Sequence, residues 1–220
     1  LGRITPAQYD EAVAEKLALR NGRLPVLHAE HVAEMARQVV VQRFGEQAYT
    51  QGLRVITSLR AADQRAAHAA LRRAVLAHDR KKAWRGPEDH EDLPAQALGA
   101  ELERAAAQAL KDHPDDDDLR VAIVLEAQPK EVRAQLASGE IVRISGAGLR
   151  QAQAGLNPKA PSSLAITRGA IIRVLGEIGR DGLAWSIVQW PEAEGAFVAL
   201  DPATGRVRAL VGGFDFRQRQ

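Results

Sequence analysis

The segment Gly195-Ala-Phe-Val-Ala-Leu-Asp-Pro-Ala-Thr-Gly-Arg-Val-Arg-Ala-Leu-Val-Gly-Gly-Phe-Asp-Phe216 constrains the fold more than any other part of this chain. Two apolar runs, residues 197–200 and 207–211, flank Asp201-Pro202-Ala203-Thr204-Gly205. Asp and Pro open a turn, and Gly supplies the positive φ that a tight reversal needs. The segment therefore reads as a β-hairpin. Phe197, Val198, Val207 and Leu210 are its candidates for packing against a larger body.

Upstream of residue 119 the pattern is helical. Thr5-Pro6-Ala7-Gln8 is a good helix start, with Thr to cap and Pro at the first position, and predicts a helix over 5–20. A second helix is expected over 26–44, because Val32, Met35, Ala36, Val39 and Val40 follow a helical stripe. Gly45 would end it. Residues 52–59 alternate, with Leu53, Val55, Thr57 and Leu59 on one face, and read as a strand. An Ala-, Arg- and Leu-rich helix is expected over 61–83, with Trp84 at its end and Arg85-Gly86-Pro87 as a breaker. A further helix is expected over 94–110, through Leu98, Leu102, Ala105 and Ala109. From Leu119 the pattern changes to short strands at 120–127, 132–136, 141–144, 170–175 and 183–189, separated by Gly, Pro, Asn and Asp. Such a series suggests a small barrel or sandwich. The fold class expected is α+β: a helical linker region, then a small OB-like β-barrel, then the terminal hairpin.

Composition limits the function classes. The 220 residues are 45% apolar and 26% charged, with aromatics at only 4%, so the core is built mainly from Ala, Leu, Val and Ile. The net charge of +2 includes no block of basic residues that would mark a nucleic-acid footprint. Without Cys there are no disulfides or thiolate metal sites. No apolar run approaches the roughly 20 residues that span a bilayer. The chain begins Leu1-Gly2-Arg3, and is expected to be an internal piece whose membrane anchor or export signal lies upstream.

Candidate sites are few. His28 and His31 share a helix face and could hold a metal, but a third ligand is not evident, and a surface or capping role is favoured. Asp115, Asp116, Asp117 and Asp118 lack the spaced oxygens and distal Glu of a Ca²⁺ loop and read as solvated. Glu88, Asp89, Glu91 and Asp92 could supply an acid/base pair, yet nothing predicts burial, so a solvated turn is favoured. Gly146 and Gly148 read as turn residues rather than a phosphate loop. Residues 151–163 form a polar, Pro-containing connection, read as a mobile loop before a contact surface. Trp185 and Trp190 cannot share one face of a regular strand, so a base-stacking platform is not expected; Trp185 should enter the core. No catalytic, cofactor-binding or metal residue is assigned.

Four stretches resemble class A penicillin-binding proteins, in that family's order. Residues 1–10 look like the tail of a glycosyltransferase domain. Residues 44–59, with Tyr49-Thr50-Gln51-Gly52-Leu53-Arg54-Val55-Ile56-Thr57-Ser58-Leu59, look like the segment leaving it. The strand-rich region fits the OB-like insertion of the 1A branch. Trp185, Gln189, Pro191 and Glu192, joined to the final hairpin, look like the start of a transpeptidase domain. One departure is Arg60-Ala61, where the family often has Asp-Pro. The resemblance implies four parts: residues 1–27, tail of a glycosyltransferase; 28–115, mostly helical linker with one transpeptidase-region strand; 116–190, OB-like domain; 191–220, first transpeptidase hairpin. That family's transpeptidase uses Ser-x-x-Lys, Ser-x-Asn and Lys-Thr-Gly elements, and its glycosyltransferase uses Glu-Asp-x-x-Phe-x-x-His. None of the serines here has Lys three positions on, no Lys precedes Thr-Gly, and the Glu-Asp element is absent. The resemblance thus implies a non-catalytic inter-domain and docking region of a bifunctional peptidoglycan synthase on the periplasmic face of the bacterial inner membrane. It implies no cofactor. The implied partners are an outer-membrane lipoprotein activator or another cell-wall synthesis protein, and peptidoglycan through the parent enzyme. The alternative is an independent OB-fold module binding single-stranded nucleic acid or oligosaccharide.

Overall fold

A computed structural model describes residues 5, 9, 27–116, 118–179 and 182–214. The helix expected over 5–20 falls almost wholly outside them. Helix α1 spans Glu30–Phe44, the single turn α2 Gln47–Thr50, and α3 Ala61–Asp79. The short edge strand β1 (Asp89–His90) and helix α4 (Gly99–Ala109) precede three antiparallel strands, β2 (Leu119–Gln128), β3 (Glu131–Leu136) and β4 (Ile141–Ser145). After a turn-rich connection come β5 (Ala170–Gly179) and β6 (Gly182–Val188), then the hairpin β7 (Ala196–Leu200) and β8 (Val207–Gly212).

The larger sheet runs β6-β5-β2-β3-β4, with β1 beside the first residues of β5 on the same edge that β6 occupies further along. All its pairings are antiparallel. The expected barrel is not hydrogen-bonded shut. Edge strand β4 instead leads into a 3₁₀ turn, Gly146–Leu149, that leans on β6: a Cβ on Gly148 would lie 2.2 Å from the Trp185 carbonyl oxygen. Gly146 and Gly148 are thus turn and packing residues.

Strand β2 reads as a continuous apolar run because both its faces are buried. Ala122 and Val124 face the barrel interior with Val132, Leu136, Ile144, Ile172 and Ile187. Val121, Ile123 and Leu125 face the other way, under Ala106 and Leu110 at the end of α4. That alternation follows from the two-residue period of a strand. Helix α3 packs its Ala67 against Ala209 and Val211 of β8, and its Val75 and Leu76 against Leu119, Leu175 and Val188. One helix therefore backs both the hairpin and the OB-like sheet.

Several boundaries differ from expectation for local reasons. Helix α1 starts at Glu30, not residue 26, because His28 takes a left-handed φ of 52°. Residues 52–59 alternate but form no ladder; they run beside β8 through Ser58 Oγ donating to the Val207 carbonyl at 2.7 Å and Arg60 N–H donating to the Arg208 carbonyl at 2.9 Å. The helix expected over 61–83 ends at Asp79, and Trp84 turns inward to donate its indole N–H to the Leu164 carbonyl at 2.9 Å. The helix expected from 94 begins at Gly99, because the Arg168 guanidinium takes the Pro94 and Ala97 carbonyls at 2.7 and 3.0 Å. Leu98, expected on its apolar face, is 76% exposed.

The 151–163 connection is largely exposed but is built as a chain of hydrogen-bonded turns. Ala152, Gly155 and Leu156 are buried, and the Ile166 N–H donates to the Gly155 carbonyl at 2.8 Å. A Cβ on Gly155 would lie 2.4 Å from the Leu164 carbonyl oxygen and 2.6 Å from the Trp84 indole nitrogen. Gly155→Ala is therefore expected to cost about 1–3 kcal/mol by overpacking, measured as a lower urea midpoint at unchanged slope.

Candidate functional site

Where α3, the OB-like sheet and the hairpin meet, polar side chains are buried together. Arg72 on α3 is 3% exposed. Its guanidinium donates to Asp116 Oδ2 at 2.6 Å, to Asp118 Oδ1 at 2.5 and 2.9 Å, and to the Phe214 carbonyl at 3.1 Å. It also lies 4.1 Å from the centre of the Phe214 ring. Phe214 meets Trp190 edge-on at 5.5 Å, and Arg173 of β5 sits 5.5 Å from the Trp190 ring. Arg173 is clamped in turn by both oxygens of Glu88 at 3.0 Å and by the Pro114 carbonyl at 2.9 Å. A series of cation, two rings and cation, Arg72, Phe214, Trp190 and Arg173, thus joins the helix, the OB-like unit and the segment just after β8.

Burial disfavours the charged form of Arg72, but its hydrogen bonds to Asp118 and the charges of Asp116 and Asp118 outweigh that cost, so its pKa lies above the ordinary arginine value. The group stays cationic throughout the working pH range.

A second polar cluster closes the other side of the junction. Arg85 donates to Asp79 Oδ1 at 3.2 Å and to the Trp190 carbonyl at 2.6 Å. Gln189 accepts from the Arg85 N–H and donates to the Ala83 carbonyl, both at 3.0 Å. Gln64 on α3, fully buried, does the same for the hairpin: its amide donates to the Leu210 carbonyl and accepts from the Leu210 N–H, both at 2.9 Å. These side-chain amides present one donor and one acceptor to backbone, in place of a neighbouring strand.

The expected site residues are placed as follows. Asp115 accepts from the Val121 N–H at 2.8 Å and from Arg120, anchoring the start of β2, and Asp116 is buried rather than solvated; Asp118 is exposed although it takes Arg72, and Asp117 lies outside the described residues. Glu88 is exposed, as expected of that turn, while both its carboxylate oxygens take Arg173. Asp89 and Asp92 are exposed, as expected, and Glu91 takes a bond from His113 at 3.1 Å. His28 and His31 do not converge on one point: His31 donates to the Gly212 carbonyl at 2.5 Å, while His28 precedes the helix and stacks on His68 at 3.7 Å. Trp185 packs against the barrel core, and Trp190 packs with Phe214. Phe197 and Val198 are about half exposed.

Exposed apolar surface concentrates on the α1 side. No residue of α1 is fully buried. A groove of about 420 Å³ lies between Ala33, Val40, Tyr49, Leu53 and Val55, and another of about 370 Å³ between Val32, Met35, Val39, Val207 and Leu210. Among the described residues, no helix is long and apolar enough to cross a membrane.

The junction makes a direct energetic prediction. Arg72→Met takes the guanidinium away from the buried Asp116 carboxylate and is expected to cost about 3–5 kcal/mol. The double variant with Asp116→Asn should recover part of that loss, read as a coupling free energy in a urea-denaturation cycle.

Three comparisons bear on this architecture. The model of the penicillin-binding protein OB-like domain matches residues 84–193. The penicillin-binding protein 1A of Neisseria flavescens is 38% identical over 219 residues, 99% of this chain and 27% of that protein. That of Pseudomonas aeruginosa is 33% identical over 226 residues, again 99% of this chain and 26% of its own length. A crystal structure of penicillin-binding protein 1A from Haemophilus influenzae superposes with a TM-score of 0.70 at 28% identity, over 98% of this chain and 30% of that one. The chain spans about a quarter of the length of the curated relatives it matches. With a matching family model over half its residues and the same architecture in a solved relative, the chain belongs to the penicillin-binding proteins that carry an OB-like domain.

Proposed function

We propose that this chain is the non-catalytic connecting and docking region of a bifunctional peptidoglycan synthase, working at the periplasmic face of the inner membrane. The observation that carries this reading is the junction around Arg72, where the OB-like unit is locked at both ends to the helix that also supports the β7–β8 hairpin. A unit so held adds a surface without breaking the path from one flanking domain to the next. The lack of a Ser-x-x-Lys, Lys-Thr-Gly or Glu-Asp-x-x-Phe-x-x-His element supports the non-catalytic assignment.

The apolar faces of α1, residues 53–57 and β7, exposed among the described residues, support a further part of the reading: they lie against the remainder of the longer protein. In this reading residues 1–27 finish the glycosyltransferase and 191–220 begin the transpeptidase. The OB-like unit is drawn from about residue 84, since β1 pairs with β5 and α4 covers β2. The partner is an outer-membrane lipoprotein activator or another cell-wall synthesis protein. It would shift the enzyme's activity only by binding one conformational state better than another. The nucleic-acid or oligosaccharide module finds no support, because Trp185 and Trp190 are spent on internal packing.

Two measurements test the proposal. Labelled penicillin should leave this chain unmodified; a covalent adduct would contradict it. Added in excess to the full synthase and its activator, the chain should compete for the activator and abolish stimulation while the basal rate of glycan polymerisation stays unchanged. Undiminished stimulation would remove the docking role.

A further inference from the structure

On the β1 edge of the OB-like sheet, next in sequence to Glu88 and Pro114 of the junction, three ligating side chains converge from two segments. Asp89 and Glu91 flank His90, so the period of an extended strand puts both carboxylates on one side of β1. Their backbone is fixed at both ends: the Glu88 N–H donates to the Ile171 carbonyl at 2.8 Å and the Glu91 N–H to the Gly169 carbonyl at 2.9 Å. His113 comes from the turn that ends the 3₁₀ extension of α4, where its N–H donates to the Leu110 carbonyl at 3.1 Å and Leu110 itself is buried.

One ligand atom from each of Asp89, Glu91 and His113 lies within 4.8 Å of the other two, and His113 Nε2 stands 3.1 Å from Glu91 Oε1. Cis ligands of a zinc ion bound at about 2.0–2.2 Å lie about 3–3.5 Å apart. The His–Glu pair already has that separation, and Asp89 needs only a side-chain rotation from its turn bond to the His90 N–H at 2.8 Å. The two carboxylates and the imidazole nitrogen offer three donor atoms, and a divalent ion bound among them would offset both carboxylate charges. An imidazole in the set selects against Ca²⁺ and Mg²⁺, which favour oxygen ligands alone.

We propose that Asp89, Glu91 and His113 form a binding site for a divalent transition-metal ion, with zinc the best match. The ion would pin the edge strand β1 to the segment after α4 and keep one coordination position open to water or to a carboxylate from outside the chain. His28 and His31, engaged on His68 and Gly212, are not part of it.

Calorimetric titration of the whole chain with zinc chloride in a non-chelating buffer tests this. One equivalent should bind, and His113→Ala should weaken the affinity at least tenfold. Asp89→Asn, at an exposed position that cannot unfold the chain, should weaken it as well and decides the matter if His113→Ala is misfolded. Absence of binding, or binding equal in the wild type and Asp89→Asn, overturns the proposal; the latter would place the ion elsewhere on the chain.

Discussion

The buried guanidinium of Arg72 is the interaction on which the arrangement of this molecule depends. It stands where three pieces of chain meet that are distant in sequence: the middle of α3, the acidic turn before β2 and Phe214, two residues beyond β8. A buried charge is costly unless its hydrogen-bonding capacity is met. Here two carboxylates, a carbonyl and an aromatic face meet it together. Removing any one leaves the rest under-satisfied, so the geometry is specified more sharply than apolar packing alone would achieve. The apolar cluster beside it, Val75, Leu76, Leu119, Leu175, Val188 and Phe214, draws on the same three pieces and adds β5 and β6.

The strands were readable because each keeps a two-residue alternation or, for β2, an unbroken apolar run between turn residues. The final hairpin was readable to within a residue, since Asp201 Oδ1 takes the N–H groups of Ala203 and Thr204 and Gly205 adopts a φ of 66°, as its turn chemistry requires. The junction was not readable. Asp116 and Asp118 look like part of a solvated run because local composition cannot show that a guanidinium 44 residues away in sequence will be buried against Asp116. Gln64 has the same invisibility, being one polar residue in an Ala-rich helix whose partner strand is 146 residues away. His113 escaped notice for a similar reason, as its nearest carboxylate lies 22 residues upstream. Residues 52–59 failed in the opposite sense: their alternation is real, but a strand also needs a ladder, and beside β8 they make only isolated bonds.

Function follows the same division. The sheet and α4 form a self-contained core, while α1, residues 53–57 and β7 carry apolar surface that nothing in the described chain covers. A region built this way connects and presents. Its rigid part is the OB-like unit with α3, and the hairpin is the element through which that rigidity reaches the domain proposed to follow.

If Arg72 binds these pieces into one body, disturbing it from the OB-like side must be felt in the hairpin. Hydrogen–deuterium exchange of the Asp116→Asn variant measures that directly. The account predicts faster exchange in β8 and in the Arg72 turn of α3, with β3 and β4 as protected as in the wild type. Faster exchange confined to the turn around residue 116 and the start of β2, with β8 unchanged, would contradict it.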